Sequence, residues 1–147
     1  MRRLPVAAIA SACLLVGASP FALGGCGEEG TQAGATVSAY FAAPLCAAAD
    51  RELERAGGEA GGLRVRLECL PAAGGSGHTN LAVVGANARS ATEDSTAIAY
   101  VEGPDRGAAA GSRSIVEAAG VAWLEAGSGS AAMGRVLRAV AAAGSGS

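Results

Sequence analysis

Short β-prone runs alternate with stretches of helical periodicity along this chain, with glycines at most boundaries, and that alternation leaves few folds open. Residues 36–42 (TVSAYFA) are the first β-prone run. Leu45, Ala49, Leu53 and Ala56 then recur along one helical face until Gly57-Gly58 stops it. After Gly61-Gly62, the residues Leu63, Val65, Leu67 and Cys69 alternate with Arg64, Arg66 and Glu68. That is a strand with one wet face, suited to a sheet edge. Residues 71–77 read as a loop, and Asn80 as the cap of a second helix whose face is Leu81, Val84, Ala88 and Ala91. Residues 97–101 (AIAYV) are almost continuously apolar, as in a buried central strand. Gly103-Pro104-Asp105 turns the chain, and a third helix over 112–119 closes at Gly120. A fourth strand follows over 121–124. Ser130 is expected to cap a last helix with Met133, Val136, Leu137 and Val140 on its face, ended by Gly144.

Four strand–helix pairs in this order predict an α/β fold, a three-layer parallel sheet of four strands with helices on both faces. Right-handed crossovers and the wet second strand predict the order 2-1-3-4, a Rossmann-like half-lobe over residues 36–143. In such sheets ligands sit beyond the carboxyl ends of the strands. Here that means the segments 43–45, 102–105 and 126–130. The material for the core is thin. Alanine (37) and glycine (23) make up about two fifths of the 147 residues, and only 3% are aromatic. Alanine lets elements approach closely but buries little surface, so the expected stability is modest unless a disulfide or a partner adds to it.

The N-terminus reads as an export segment. Arg2 and Arg3 precede an uncharged stretch over 4–23 with the apolar runs 6–10 and 13–16. It is interrupted and alanine-rich, unlike the ~20 strongly apolar residues of a membrane span. Its exit, Leu23-Gly24-Gly25-Cys26, resembles the bacterial lipobox, in which small residues lie extended in a peptidase cleft and the cysteine thiol is alkylated by a diacylglyceryl group. Each buried CH₂ contributes ~0.8 kcal/mol, so two or three acyl chains hold a protein on a bilayer. The alternative is an ordinary cleaved signal with an incidental cysteine. Residues 1–25 are thus expected to be a signal peptide, 26–35 a flexible tether, and 144–147 a disordered tail.

Eleven arginines, no lysine and thirteen acids give a net charge of −2. Without a basic stripe the chain is not an electrostatic nucleic-acid binder. Without lysine it has neither a Walker-type phosphate loop nor Schiff-base chemistry. Cys46 begins the first helix and Cys69 ends the second strand. If their strands are neighbours, both lie at one sheet edge, and a disulfide suits an exported protein. Two separate buried thiols is the other reading. No third and fourth ligands accompany these cysteines, so no metal site is expected. His78, the only histidine, follows Gly74-Gly75-Ser76-Gly77 and reads as a solvated loop residue, because catalysis would need a paired nucleophile and an orienting acid. The glycine-rich loop lacks GxGxxG and GK[ST] and reads as a flexible connection. Glu52, Glu54 and Glu59 with Arg51 and Arg55 read as a solvated helix face. Tyr40, Tyr100 and Trp123 lie inside strands, where core packing is the default.

Several short pieces then fall in a telling order: Ala43-Pro44-Leu45 after the first strand, the Gly57-Gly58…Gly61-Gly62 turn, and Ala86-Asn87-Ala88-Arg89 on the second helix. Gly103-Pro104 after the third strand and Glu117-Ala118-Ala119-Gly120-Val121 into the fourth complete them. Together they resemble the opening of type 1 periplasmic binding proteins, the leucine/isoleucine/valine-binding group of ABC transporter receptors. The resemblance covers roughly two thirds of the chain and implies about half of a first lobe, with no second lobe to close over a ligand. Pro71-Ala72-Ala73 stands where the family has an acidic pair, and Gly103-Pro104-Asp105-Arg106 where it has a Ser-rich turn. The family holds its amino-acid ligand near the turn after strand four. The resemblance therefore implies Ser128 and Ser130, beside Gly103 from the strand-end rule, as binding residues for a small polar ligand such as a branched-chain amino acid, and an ABC permease as partner.

The expected protein is a non-enzymatic lipoprotein, anchored through Cys26 on the extracytoplasmic face of the cell membrane, that resembles part of an ABC transporter substrate-binding protein. No constellation of acid, base and nucleophile emerges, and no cofactor is expected. The rival reading is a structural or interaction lipoprotein without a small ligand, whose fourth strand, with Trp123 nearby, is left at an exposed edge that recruits a protein.

Overall fold

A computed structural model describes residues 32–75 and 77–144. The signal segment, Cys26 and most of the tether lie outside them, as does the tail beyond Gly144. β1 (Thr36–Ala42) passes without a loop into α1 (Ala43–Arg55). The segment 43–45, expected to be a loop, is the first turn of that helix. Pro44 is tolerated there because a first-turn N–H has no helical acceptor to lose. β2 (Glu59–Ala60) and β3 (Leu63–Leu70) form a tight antiparallel hairpin. Gly61 in its turn has φ +56°, and a Cβ there would come within 2.8 Å of the Val140 carbonyl oxygen, so both conformation and space require glycine. β4 (Gly74–Gly75), within the stretch read as loop, pairs with β5 (His78–Thr79) just beyond it as a separate small ribbon. α2 (Leu81–Glu93) is capped by Asn80, whose Oδ1 accepts from the Ala82 and Val83 N–H groups at 3.1 and 3.3 Å.

β6 (Ala97–Glu102) leads into α3 (Arg106–Ala118), and β7 (Ala122–Glu125) into α4 (Gly129–Gly144). Two helix starts differ from expectation. α3 begins six residues early, because Asp105 caps it by accepting from Gly107 and Ala108 N–H. The stretch Gly107-Ala108-Ala109-Ala110-Gly111 carries no apolar periodicity that would reveal a helix. α4 begins at Gly129, with the Ser128 carbonyl accepting from Ala132 N–H, so Ser130 lies inside the first turn rather than at the cap. Gly144 is the last helical residue rather than the start of a tail. No described helix is long and apolar enough to cross a membrane.

The main sheet is mostly parallel and has five strands rather than four, in the order β2-β3-β1-β6-β7. The short β2 is its antiparallel member. Strand alternation sends side chains to two separate cores. On one face Val37, Ala39 and Phe41 of β1 meet Leu45, Ala49 and Leu53 of α1 and Ala132, Met133 and Val136 of α4. On the other, Leu70 and Tyr100 meet Ala88 and Ala91 of α2 and Val116 of α3, with Tyr40 and Trp123 packed against them. Buried alanines at the helix contacts allow close approach, which is how so few large side chains fill two cores. Cys46 and Cys69 are joined by a disulfide with Cα atoms 5.8 Å apart, which ties the start of α1 to the end of β3.

A polar chain closes one edge of the second core. Ser38 is wholly buried on β1. The Thr96 hydroxyl donates to Asp94 Oδ1 at 2.7 Å, so Ser38 donates to Thr96 at 2.8 Å and accepts from Arg66 Nη2 at 3.0 Å. The Tyr40 hydroxyl donates to Asp94 Oδ2 at 2.9 Å. The Thr96 hydroxyl, its backbone N–H and Tyr40 hold the Asp94 carboxyl down at about 2. Burial first, then the contact with Asp94, pushes the Tyr40 phenol up to about 12. A depressed carboxyl adds stability that is complete above its unfolded pKa, ~3.9, and is lost as pH falls through the folded value. Urea midpoints measured at pH 6, 4 and 2 are therefore expected to fall more steeply below pH 4 for the parent than for Asp94→Asn. Parallel curves would show that Asp94 makes no such contribution.

Candidate ligand-binding cleft

At the carboxyl end of the sheet the chain leaves β1 through α1 on one face and β6 through α3 on the other. This divergence opens a crevice between adjacent strand ends, the usual place for a ligand in open α/β sheets. It is a cleft of about 430 Å³. One wall is Ala42, Ala43 and Pro44; a second is the segment from Pro71 to Gly74; the β4–β5 ribbon contributes His78 and Thr79; Asn87, Glu102, Gly103 and Asp105 complete it.

Glu102 is the most unusual of these residues. It ends β6 only 5% exposed, yet it carries a carboxylate. Its Oε1 accepts from Gly103 N–H at 3.2 Å. Its Oε2 accepts from the Tyr100 hydroxyl at 3.3 Å and the Ser112 hydroxyl at 3.1 Å. Ser112 in turn accepts from the Trp123 indole N–H at 3.1 Å. Two strands and a helix thus contribute to the network around one carboxylate: Tyr100 from β6 and Ser112 from α3 directly, and Trp123 from β7 through Ser112. Burial, then the Glu102 charge, pushes the Tyr100 phenol well above its ordinary value, so it remains a donor throughout the physiological range. Trp123 and Tyr100, read as core aromatics, are core on their ring faces and network donors at their polar ends.

Asn87, only 6% exposed, donates from Nδ2 to the Pro71 carbonyl at 2.9 Å and so pins the second wall to α2. Asp105 accepts the Thr79 hydroxyl as well as the two N–H groups at the start of α3. The Ala108 N–H, then Thr79 and the Gly107 N–H, lower its carboxyl below the usual range. His78 is solvent-exposed at the rim.

Of the expected binding residues, Gly103 lines this cleft, and Ser128 and Ser130 do not. Those two serines lie 3.1 Å apart between their hydroxyl oxygens. Ser130 faces a different, open depression of about 720 Å³ with Glu52, Glu125, Arg135 and Arg138. Residues Glu102, Asn87 and Thr79 were not singled out from the sequence as site residues. The available signal was Glu102 itself, the one charge at the end of the apolar run AIAYVE before a turn. A third hollow, about 420 Å³ and apolar, runs between α4 and the β6–β7 edge, lined by Val37, Ile98, Leu124, Val136 and Val140. Among the described residues no group of three His, Cys, Asp or Glu side chains could hold a metal ion. Comparison with protein-family models, curated proteins and solved structures finds no match to this chain.

Proposed function

We propose that this protein is a lipid-anchored, extracytoplasmic solute-binding protein that holds a small polar ligand without transforming it. Its scaffold is a three-layer Rossmann-like half-lobe whose four long strands keep the order 2-1-3-4, as in type 1 periplasmic binding proteins. The observation that carries this reading is the cleft at the strand ends, with the buried Glu102, which accepts three hydrogen bonds, in its wall. A cavity of about 430 Å³ is of the size that encloses small molecules. The one hydroxyl–carboxylate pair in its lining, Thr79 with Asp105, is engaged in capping α3 through the Gly107 and Ala108 N–H groups, which favours binding over chemistry. The pairing of α1 with α4 on one core and α2 with α3 on the other supports the layered scaffold. Gly103 contacts the ligand in this reading; Cys26 carries the lipid; an ABC permease receives the solute. Calorimetric titration with branched-chain amino acids is expected to give saturable heats, and flat heats at millimolar ligand would remove the amino-acid claim. Mass spectrometry of the membrane fraction is expected to find Cys26 acylated, and an unmodified Cys26 would remove the anchor.

A second reading, an interaction lipoprotein without a small ligand, is favoured by one specific feature. β7 is a sheet edge of four residues beside the apolar hollow under α4. Edge strands with apolar neighbours recruit other chains. Light scattering showing a strict monomer with no co-purifying protein would count against it.

A further inference from the structure

We propose, building on the small-solute reading above, that the strand-end cleft is made for an organic cation: a primary amine without a free carboxylate. Four observations converge on this chemistry. First, three donors converge on the Glu102 carboxyl: the Ser112 hydroxyl, the Tyr100 hydroxyl and the Gly103 N–H. Among the described residues no arginine or histidine pairs with this buried carboxylate. Buried charges are ordinarily paired, so a counter-cation is the complement the wall lacks.

Second, Asn87 has an unengaged acceptor beside one remaining Nδ2 N–H. A carbonyl can only accept, so Nδ2 must face Pro71, and Oδ1 makes no hydrogen bond among the described residues. Third, the place where an anion would normally settle is taken. The N–H groups of Gly107 and Ala108 at the start of α3 are filled by the Asp105 carboxylate of the same chain. Fourth, the lining contains two carboxylates, a single histidine at the exposed rim and no arginine. A ligand carboxylate turned to this wall would meet like charge, whereas an ammonium with three N–H donors finds Glu102 and the Asn87 Oδ1.

Three probes with one branched skeleton separate the alternatives: 3-methylbutylamine, leucine, and 4-methylpentanoate. Calorimetry on the full chain is expected to show the amine binding roughly tenfold or more tighter than leucine, the difference of one charge-assisted contact, and the acid silent. In the unmodified protein, the Gly103 amide and Trp123 indole N–H resonances are expected to move with added amine, because both belong to the Glu102 network. Glu102→Gln is expected to weaken the amine by a similar factor, and the resonance shifts supply the answer if that variant folds poorly. Leucine or the acid binding as tightly as the amine would overturn the cation assignment and leave the solute-binding reading standing. Amine binding that moves neither resonance would overturn it too. Silence from all three probes would remove both.

Discussion

Gly129→Ala is expected to lower the unfolding free energy by about 3 kcal/mol, the upper end for overpacking a core, and the melting temperature by roughly 10 °C. Gly129 is buried in the first turn of α4, where that helix crosses the start of α1. An added Cβ would overlap the Leu45 carbonyl oxygen and come within 3.0 Å of the Ala49 nitrogen. Both are backbone atoms of a hydrogen-bonded helix, so neither can swing aside as a flexible side chain would. The helix end must retreat instead. The same face carries Ala132, Met133 and Val136, all at 2% exposure or less, so a retreat also opens the core they fill. In a fold that draws its stability from close alanine contacts, that is a large share of the ~5–15 kcal/mol a domain of this kind possesses. Gly134→Ala is the matched control. It lies five residues along the same helix, and its Cβ would meet only the Arg138 guanidinium at 3.5 Å. Replacing glycine there is expected to raise stability by ~0.5–1 kcal/mol through helix propensity. Urea unfolding of the two variants beside the parent checks both signs. A Gly129→Ala protein as stable as the parent would mean that α4 does not dock this closely.

The Gly129 contact was not legible in the sequence, and the reason is physical. Periodicity reports which residues turn inward. It says nothing of how near two backbones come, which depends on the residues that are missing side chains. The strands and helices were legible wherever large apolar residues kept a period: Leu63, Val65 and Leu67 for β3, Met133, Val136 and Val140 for α4; on α2 the expected face holds for Val84, Ala88 and Ala91, while Leu81 is exposed. They were not where alanine and glycine filled the first turns of α3, and where the two-residue β2 had no room to show a pattern. The site was half legible. The rule that ligands gather beyond strand ends led to Gly103 and the turn around it. It could not choose between the strand ends, and Ser128 and Ser130, implied by the resemblance, do not line this cleft. Glu102 falls within the expected 102–105 segment, but its role is hidden in the sequence because it depends on Ser112, ten residues on, and on Trp123, which reaches Ser112 from the next strand.

Removing the Cys46–Cys69 disulfide, by reduction or in a Cys46→Ala/Cys69→Ala protein, is expected to cost about 3 kcal/mol, the loop-closure entropy returned to the unfolded chain by opening a loop of this length. The two cysteines are 23 residues apart in sequence, and the loop they close contains most of α1, the β2 hairpin and nearly all of β3. Cys69 is exposed at the end of β3, so a phosphine reductant reaches the bond without prior unfolding. The consequence extends to binding. Pro44 lies two residues before Cys46, Pro71 two residues after Cys69, and both prolines line the cleft. The bond therefore fastens two of the cleft's walls to each other, directly behind the strand ends, where β1 and β3 pair Phe41 with Cys69. Preorganised walls hold a ligand at lower entropic cost, so the reduced protein is expected to bind a small amine more weakly at temperatures where it is still folded. Calorimetry with and without reductant at 15 °C, alongside urea midpoints under the same conditions, separates the two effects. A reduced protein of unchanged urea midpoint would show that strand pairing alone holds this edge. Unchanged affinity in a destabilised protein would place the ligand away from the Pro44 and Pro71 walls.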